Sequence, residues 1–476
     1  MVSPITITTT TNNGSNSLSG KVTIRNTITD IDFDIMDRVR GALIGSALGD
    51  TIGLYTEFLT PEIAKDYYGP NQQFSLVEPV TKPYQDYHRD RFESCAWTDD
   101  TDHTLLIILS YLREGELKPE DLAKRLRVWC EQGLLVLNRL PLGLGNTVGS
   151  VVLNPDYLSN PTETAFEKWL RSEKYIAPNG SVMRTIPIGI ICLQQTQSQQ
   201  SQQSQQFQQT EQAATGTTDN DPELELENEV FRQAIRMGAI THADPRCALS
   251  VSIASALTRS LCLNKIHTES DINALLERAW SYVSTKYTNA SPPIQTIMDK
   301  DEFSRHVYAE RLEELELSDR QKMGYTYKCL GSAIWCLRKV LIGEETFKTA
   351  MVKLIMSGGD ADTNGAVAGG LMGALAGYER LPSEWRDGLR HREWYNKKID
   401  QLGVVLGLME GVYEREEDKD TQMDGGRSGG MLSEEEMKRR EMEVMEKILL
   451  AGKQRAEEAE AKRKAKSSSK KSWFNW

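Results

Sequence analysis

Two short stretches hold carboxylates too closely spaced for ordinary surface acids. "SGGDADTNGAVAGG", residues 357–370, puts Asp360 and Asp362 one residue apart between glycines; "AWTDDTDHTLLIIL", residues 96–109, sets Asp99, Asp100 and Asp102 beside Thr98 and Thr101. Carboxylates this close repel unless solvent screens them or a cation lies between. Each stretch runs at once into an apolar helical pattern, so capping is the simplest alternative. Thr and Asp are favoured N-caps, and acids suit the positive end of the helix dipole. A cap accounts for one or two such residues, not for Asp-Asp-Thr-Asp in one place and Asp-Ala-Asp-Thr in another. Carboxylate and hydroxyl oxygens without paired His or Cys favour a hard ion such as Mg²⁺, Mn²⁺ or Ca²⁺. An EF-hand is excluded, because the position of its bidentate Glu is Leu371. In an extended loop residues i and i+2 face one side, so Asp360 and Asp362 reach one ion, with the Thr363 hydroxyl next in line. If the other cluster faces them, the carboxylates hold two divalent ions, which lower the pKa of a bound water and clamp substrate oxygens. Glu57, an isolated acid in the apolar "GDTIGLYTEF", is a further ligand or a general acid–base. Its alternative is a partly buried Glu with a backbone partner.

The elements that must position these groups are helical. "DIMDRVRGALIGSALGD", "TLLIILSYLREG", "PEDLAKRLRVWCEQGLL", "ALSVSIASALTRSLC" and "YKCLGSAIWCLRKVL" place apolar residues at i, i+3 and i+4. Alternating β-branched runs are scarce, which predicts an all-α fold. Gly41, Gly45 and Gly49 stand four apart, as do Gly369, Gly373 and Gly377. Each glycine costs a helix about 1 kcal/mol relative to alanine. Two helices that accept this repeatedly are expected at the centre of the bundle, where another backbone approaches closely.

The totals limit the function classes. The chain has 476 residues and a net charge of −12, which argues against a general nucleic-acid binder. No stretch reaches the roughly 20 apolar residues of a membrane span. Residues 1–32 read as a disordered polar leader without the pattern of a secretory signal. The seven cysteines form no CxxC pair, as expected of reduced thiols in the cytosol or nucleus. One domain is expected over residues 33–413, interrupted at 194–227 by a disordered Gln/Ser-rich and acidic insertion. Residues 414–476 form a charged tail, expected as a solvated helix and then a basic disordered end. Its terminal "SWFNW" is a candidate docking motif for a protein partner, with an unselected tail as the alternative.

Taken together and in this order, "RVRGALIGSALGDTIGLYTEF", "WTDDTDHTLLIILSYL", "LGLGNTVGS", "NGSVMRTIPIGI", "THADPRCALSVSIASALTRSL" and "MSGGDADTNGAVAGGLMGALAGYERLPSEW" resemble the ADP-ribosylglycohydrolase family, which includes dinitrogenase-reductase-activating glycohydrolases and crystallin-like relatives. The resemblance implies a compact orthogonal helical bundle with two Mg²⁺ ions, sometimes Mn²⁺, in a central ADP-ribose cleft. It implies hydrolysis at the ribose C1″ of ADP-ribosylated protein or small ADP-ribosyl compounds; from the charge and the apolar runs, no nucleic-acid or membrane partner is expected. The implied metal ligands are Thr98, Asp99, Asp100, Asp360, Asp362 and Thr363, with Glu57 or Asp100 activating water. Asp99, the segment Asn179, Gly180, Ser181, Val182, Met183 and Arg184, and His242 are the implied substrate contacts. An ordinary turn and a core histidine are the alternatives for the segment and for His242. Two departures stand out: Pro178 replaces a usual glycine, and Gly143 replaces an aspartate of bacterial arginine-specific members. The second weakens the expectation of arginine specificity and leaves the metal set intact. A non-catalytic crystallin-like or ADP-ribose-binding relative, and a hydrolase of another glycosidic or phosphate substrate, are the competing readings.

Overall fold

Glycines four apart put a smooth stripe on each of two helices, and in the computed structural model those stripes face each other. The structure describes residues 22–24, 30–69, 73–193, 221–288 and 298–472. Strand β1 (Val22–Ile24) precedes α1 (Asp30–Gly53), α2 (Pro61–Tyr68), α3 (Asp99–Glu114) and α4 (Pro119–Gln132). The short helices α5 (Asn146–Val152), α6 (Pro161–Arg171) and α7 (Ile186–Ile191) follow, with a 3-10 turn, Asn179–Arg184, before the last. Next come α8 (Pro222–Ala239), α9 (Pro245–Cys262), α10 (Glu269–Thr288), α11 (Lys300–Val307) and α12 (Thr326–Leu341). The chain ends with α13 (Phe347–Ile355), α14 (Ala361–Ala376), α15 (Ser383–Arg386), α16 (Arg392–Val405), β2 (Gly411–Tyr413) and α17 (Glu434–Ser472). Among the described residues the sole strands are β1 and β2, paired antiparallel with Val22 opposite Tyr413. The fold is all-α.

Helices α1 and α14 run antiparallel, Gly41 against Gly373 and Gly49 against Gly365. A Cβ on Gly41, Gly45 or Gly49 would lie 2.3, 2.4 or 1.8 Å from the carbonyl oxygen of Gly373, Gly369 or Gly365. No side chain fits there, so the helix penalty of the glycines is offset by backbone-to-backbone contact. Helix α14 also packs on α9, α12 and α13, and residues 361–374 are all buried. A helix covered on every side needs no polar face, which explains its run of Ala, Gly, Val, Leu and Met.

The edges of the domain differ from expectation in three places. The acidic "PELELE" does not belong to a loop: Asp221 accepts the Glu223 N–H at 3.0 Å and caps α8, and Leu226 and Glu227 are buried. Residues 194–220 lie outside the described ones. At the amino end, residues 22–24 of the expected leader form β1, and most of the rest is outside the described residues. Beyond residue 413 the chain still covers the core. Lys398 Nζ sits 2.6 Å from Asp418, and the buried Thr421 carbonyl accepts from Arg125 at 2.8 Å. The tail helix α17 is not simply solvated, since Ile448 on it is buried; of "SWFNW", all but Ser472 lies outside the described residues. All seven cysteines are free, Cys95 half-buried and the others buried. No helix among the described residues is long and apolar enough to cross a membrane.

Candidate active site

Antiparallel packing brings the end of α1 beside the start of α14, and this juxtaposition builds the site. After Gly53 the chain turns, and Phe58 N–H donates to the Gly359 carbonyl at 2.6 Å while Gly359 N–H donates to that of Leu59 at 3.1 Å. Gly358 and Gly359 have φ of +68° and +71°, and a Cβ on either would strike the Leu59 or Leu317 carbonyl at 2.0 or 1.9 Å. The glycines before Asp360 therefore answer a left-handed backbone squeezed between two other chain segments.

Two triads of carboxylates gather at this point. Asp50, Asp100 and Asp362 bring ligand oxygens within 4.8 Å of one another, and so do Glu57, Asp360 and Asp362. Asp362 belongs to both. Asp50, at the last full turn of α1, is absent from the sequence-based candidates. Its carboxylate accepts the backbone N–H of Thr98 at 2.8 Å, that of Thr101 at 3.0 Å and the Thr101 hydroxyl at 2.6 Å. Asp50 thus caps α3 from a different helix, which frees the acids of α3 from capping. Thr98 Oγ1 donates to Asp100 Oδ2 at 3.1 Å, and the Asn179 amide donates to Asp360 Oδ2 at 2.8 Å. Thr363 is buried next to Asp362, its N–H donating to Asp362 Oδ1 at 2.9 Å.

Burial dominates the electrostatics. It pushes Asp50 up to about 6 against the opposing hydrogen bonds from Thr101 and Thr98. Burial, then the neighbouring Asp50 and Asp360, drives Asp100 well above the usual carboxylate range. Asp362 is driven up likewise by burial, then by Glu57 and Asp100; Asp360 rises through burial and Glu57, eased by Asn179. Such a set stays ionised only with a cation among the oxygens. The residues fit one: the donors are all oxygen, the triads are tight, and buried Asp100 Oδ1 has no hydrogen-bond partner among the described residues. All-oxygen donors suit Mg²⁺, Mn²⁺ or Ca²⁺.

Glu57 is held from outside the triads, its Oε2 lying 2.5 Å from His88 Nε2. The turn Asn179–Arg184 packs on α3 and α14. A Cβ on Gly180 would meet the His242 ring at 3.2 Å. Thr241 Oγ1 receives Arg184 Nη2 at 2.7 Å and lies 2.8 Å from His242 Nδ1. The Thr241 hydroxyl also reaches the Gly238 carbonyl at 3.4 Å, and His242 Nε2 has no partner among the described residues. Burial, then Arg184, lowers His242 to about 3. Beyond Asn179 opens a cavity of about 270 Å³, lined in part by Tyr175, Pro178, Arg246, Lys322, Gly324 and Tyr325. A Cβ on Gly324 would reach Asp360 Oδ2 at 3.3 Å, so this cavity abuts the acids.

Other expected site residues lie outside the triads. Asp99 is in neither, but burial, then Asp100, Asp50 and Glu57, hold it well above the usual carboxylate range; its Oδ1 sits where a Cβ on Gly143 would come within 2.0 Å. Gly143 has φ +93°, so a side chain there meets both strain and the Asp99 carboxylate. The side chains of Val182, Met183 and Arg184 are turned inward, at 0, 4 and 1% exposure. Arg184 contacts Thr241 and the Met237 carbonyl. Asp102 is structural, accepting from Trp97 Nε1 at 2.8 Å, Trp129 Nε1 at 3.1 Å and Arg139 Nε at 3.1 Å.

The sequence pattern of the family described as ADP-ribosylglycohydrolase matches residues 32–418, and the chain belongs to that family. Among its relatives is the ADP-ribosyl-(dinitrogen reductase) glycohydrolase of Rhodospirillum rubrum, 25% identical over 79% of this chain and 98% of that protein. The ADP-ribosylarginine hydrolase Tri1 of Serratia proteamaculans is 24% identical over 78% of this chain and 80% of that protein. A solved structure titled ADP-ribosylglycohydrolase-related protein complex aligns over 79% of this chain and 98% of its own, at 20% identity and a TM-score of 0.47.

Proposed function

We propose that this chain is a Mg²⁺-dependent glycohydrolase that cleaves the N- or O-glycosidic bond at the ribose C1″ of ADP-ribosylated proteins or small ADP-ribosyl compounds. The observation that carries the reading is the pair of buried carboxylate triads joined through Asp362, in a chain of this family. Asp50, Asp100 and Asp362 would hold one Mg²⁺; Asp360 and Asp362 would hold the second next to Glu57, with the Thr98 and Thr363 hydroxyls beside them. Mn²⁺ suits the same oxygens. When bound, such ions neutralise the acids, orient ribose hydroxyls and acidify water.

The chain's own residues supply the rest. The backbone N–H groups of Gly180 and Ser181 face the diphosphate, and the inward Arg184 adds positive charge beneath them. His242 turns the ring edge that carries Nε2 toward the same loop. The cavity beside Tyr175 and Tyr325 accommodates the remaining nucleoside. Glu57 is the carboxylate placed to take a proton from the attacking water, Asp100 being the more enclosed, with 6% and 2% exposure. The water oxygen bonds to C1″, the bond from C1″ to the acceptor nitrogen or oxygen breaks, and the acceptor leaves with a proton. The full chain should release ADP-ribose from an arginine-linked or a serine-linked peptide with Mg²⁺ and lose that activity in EDTA. Chromatography that finds no release from either linkage, nor from an O-acyl ADP-ribose, overturns the proposal.

A further inference from the structure

His88 lies on the strap between α2 and α3, its Nε2 2.5 Å from Glu57 Oε2 and its side chain 18% exposed against 8% for Glu57. The other ring nitrogen, Nδ1, is 2.8 Å from Arg91 Nη2. A guanidinium only donates, so Nδ1 accepts, and the neutral ring carries its proton on Nε2 and donates it to Glu57. The rings of Phe58 and Phe92 flank the imidazole at 5.0 and 5.6 Å. The same strap grips the backbone under Glu57. Arg89 Nε donates to the Leu54 and Tyr55 carbonyls at 2.8 and 3.2 Å, and its Nη2 donates to the carbonyl of Glu57 itself.

The outer side of the strap is covered by α17, which lies wholly beyond the family match ending at residue 418. Arg455 Nη1 donates to Asp90 Oδ1 at 2.8 Å, and Lys447 Nζ to the Phe92 carbonyl at 3.4 Å. Tyr87 touches Met445, and Ile448 between these contacts is 4% exposed. The C-terminal helix, the strap and Glu57 therefore form one continuous set of contacts.

We propose that His88 is a positioning residue for Glu57, fixing one carboxylate oxygen so that the other faces the site, and that α17 holds the strap that carries it. The catalytic half rests on the glycohydrolase reading above. The test uses the ¹⁵N-labelled full chain and long-range ¹H–¹⁵N spectra of its histidines. A neutral Nε2–H tautomer is expected, lost in His88→Gln and shifted in Glu57→Gln and in Arg455→Glu. In turnover, His88→Leu should lower kcat about 10–100-fold, with KM changed less than about threefold. His88→Gln, whose amide N–H replaces Nε2–H, should recover most of the rate. Arg455→Glu should lower kcat, and adding Asp90→Lys should restore it. An Nδ1–H tautomer, or Leu and parent proteins of equal kcat, overturns the role of His88. An unmoved His88 signal in Arg455→Glu overturns that of α17. A parent inactive on every adduct sinks the glycohydrolase reading alone, because the tautomer and its response to Glu57→Gln still decide the contact.

Discussion

Asp50 serves two partners with one carboxylate. It caps α3 through Thr98 and Thr101, and it contributes an oxygen to a triad with Asp100 and Asp362. Its loss should therefore cost twice. Asp50→Ala is expected to destabilise the metal-free protein by about 1–2 kcal/mol, the worth of a cap, and to weaken the rise in melting temperature on adding Mg²⁺. Asp362 accepts the Thr363 N–H, a bond that an asparagine oxygen keeps, and is repelled by Glu57, Asp100, Asp360 and Asp50. Asp362→Asn should raise the metal-free melting temperature and abolish the Mg²⁺ response; thermal melts with and without the ion separate the two. Asp102 is the contrasting acid: Asp102→Ala strands Arg139 and two indole N–H groups, at about 3–5 kcal/mol. Whatever folds of that variant should keep its Mg²⁺ response. Gly143→Asp is expected to cost about 1–3 kcal/mol by denaturant unfolding, through its left-handed backbone and the adjacent Asp99.

At the scale of elements, the α1–α14 seam decides whether the triads exist. Asp50 and Glu57 come from one end of α1, and Asp360 and Asp362 from the facing end of α14, so any widening separates the acids. Gly49→Ala puts a methyl 1.8 Å from the Gly365 carbonyl. It should cost about 2–3 kcal/mol by overpacking and reduce Mg²⁺ affinity in a titration. Gly429→Ala, at a position open to space, should do neither. Equal Mg²⁺ affinity in the two variants would show that the seam does not govern the site.

Across the whole molecule, ion binding and folding are expected to be one equilibrium, because the triads draw on segments as distant as residues 50 and 362. At an Mg²⁺ concentration about 100-fold above Kd the folded state gains about 2.7 kcal/mol, so the melting temperature should climb with Mg²⁺ and fall back in EDTA. The amino-acid sequence alone determined much of this. Apolar periodicity dictates helices, the four-residue glycine spacing dictates a close helix pair, and adjacent acids require a cation or solvent between them. Asp50 shared the signal that marks Glu57, a lone acid in an apolar run, but its place in the last turn of α1 resembles an ordinary helix end. Other features belong to the tertiary structure. Successive helical residues point about 100° apart, so Asp100 enters a triad while its neighbour Asp99 meets Gly143. Arg184 turns inward because Thr241 and the Met237 carbonyl await it there. His88 carries no local signal at all; only the strap's path over Glu57 gives it a partner. Local pattern sets what each segment becomes, whereas the aim of a side chain depends on which distant backbone lies opposite it.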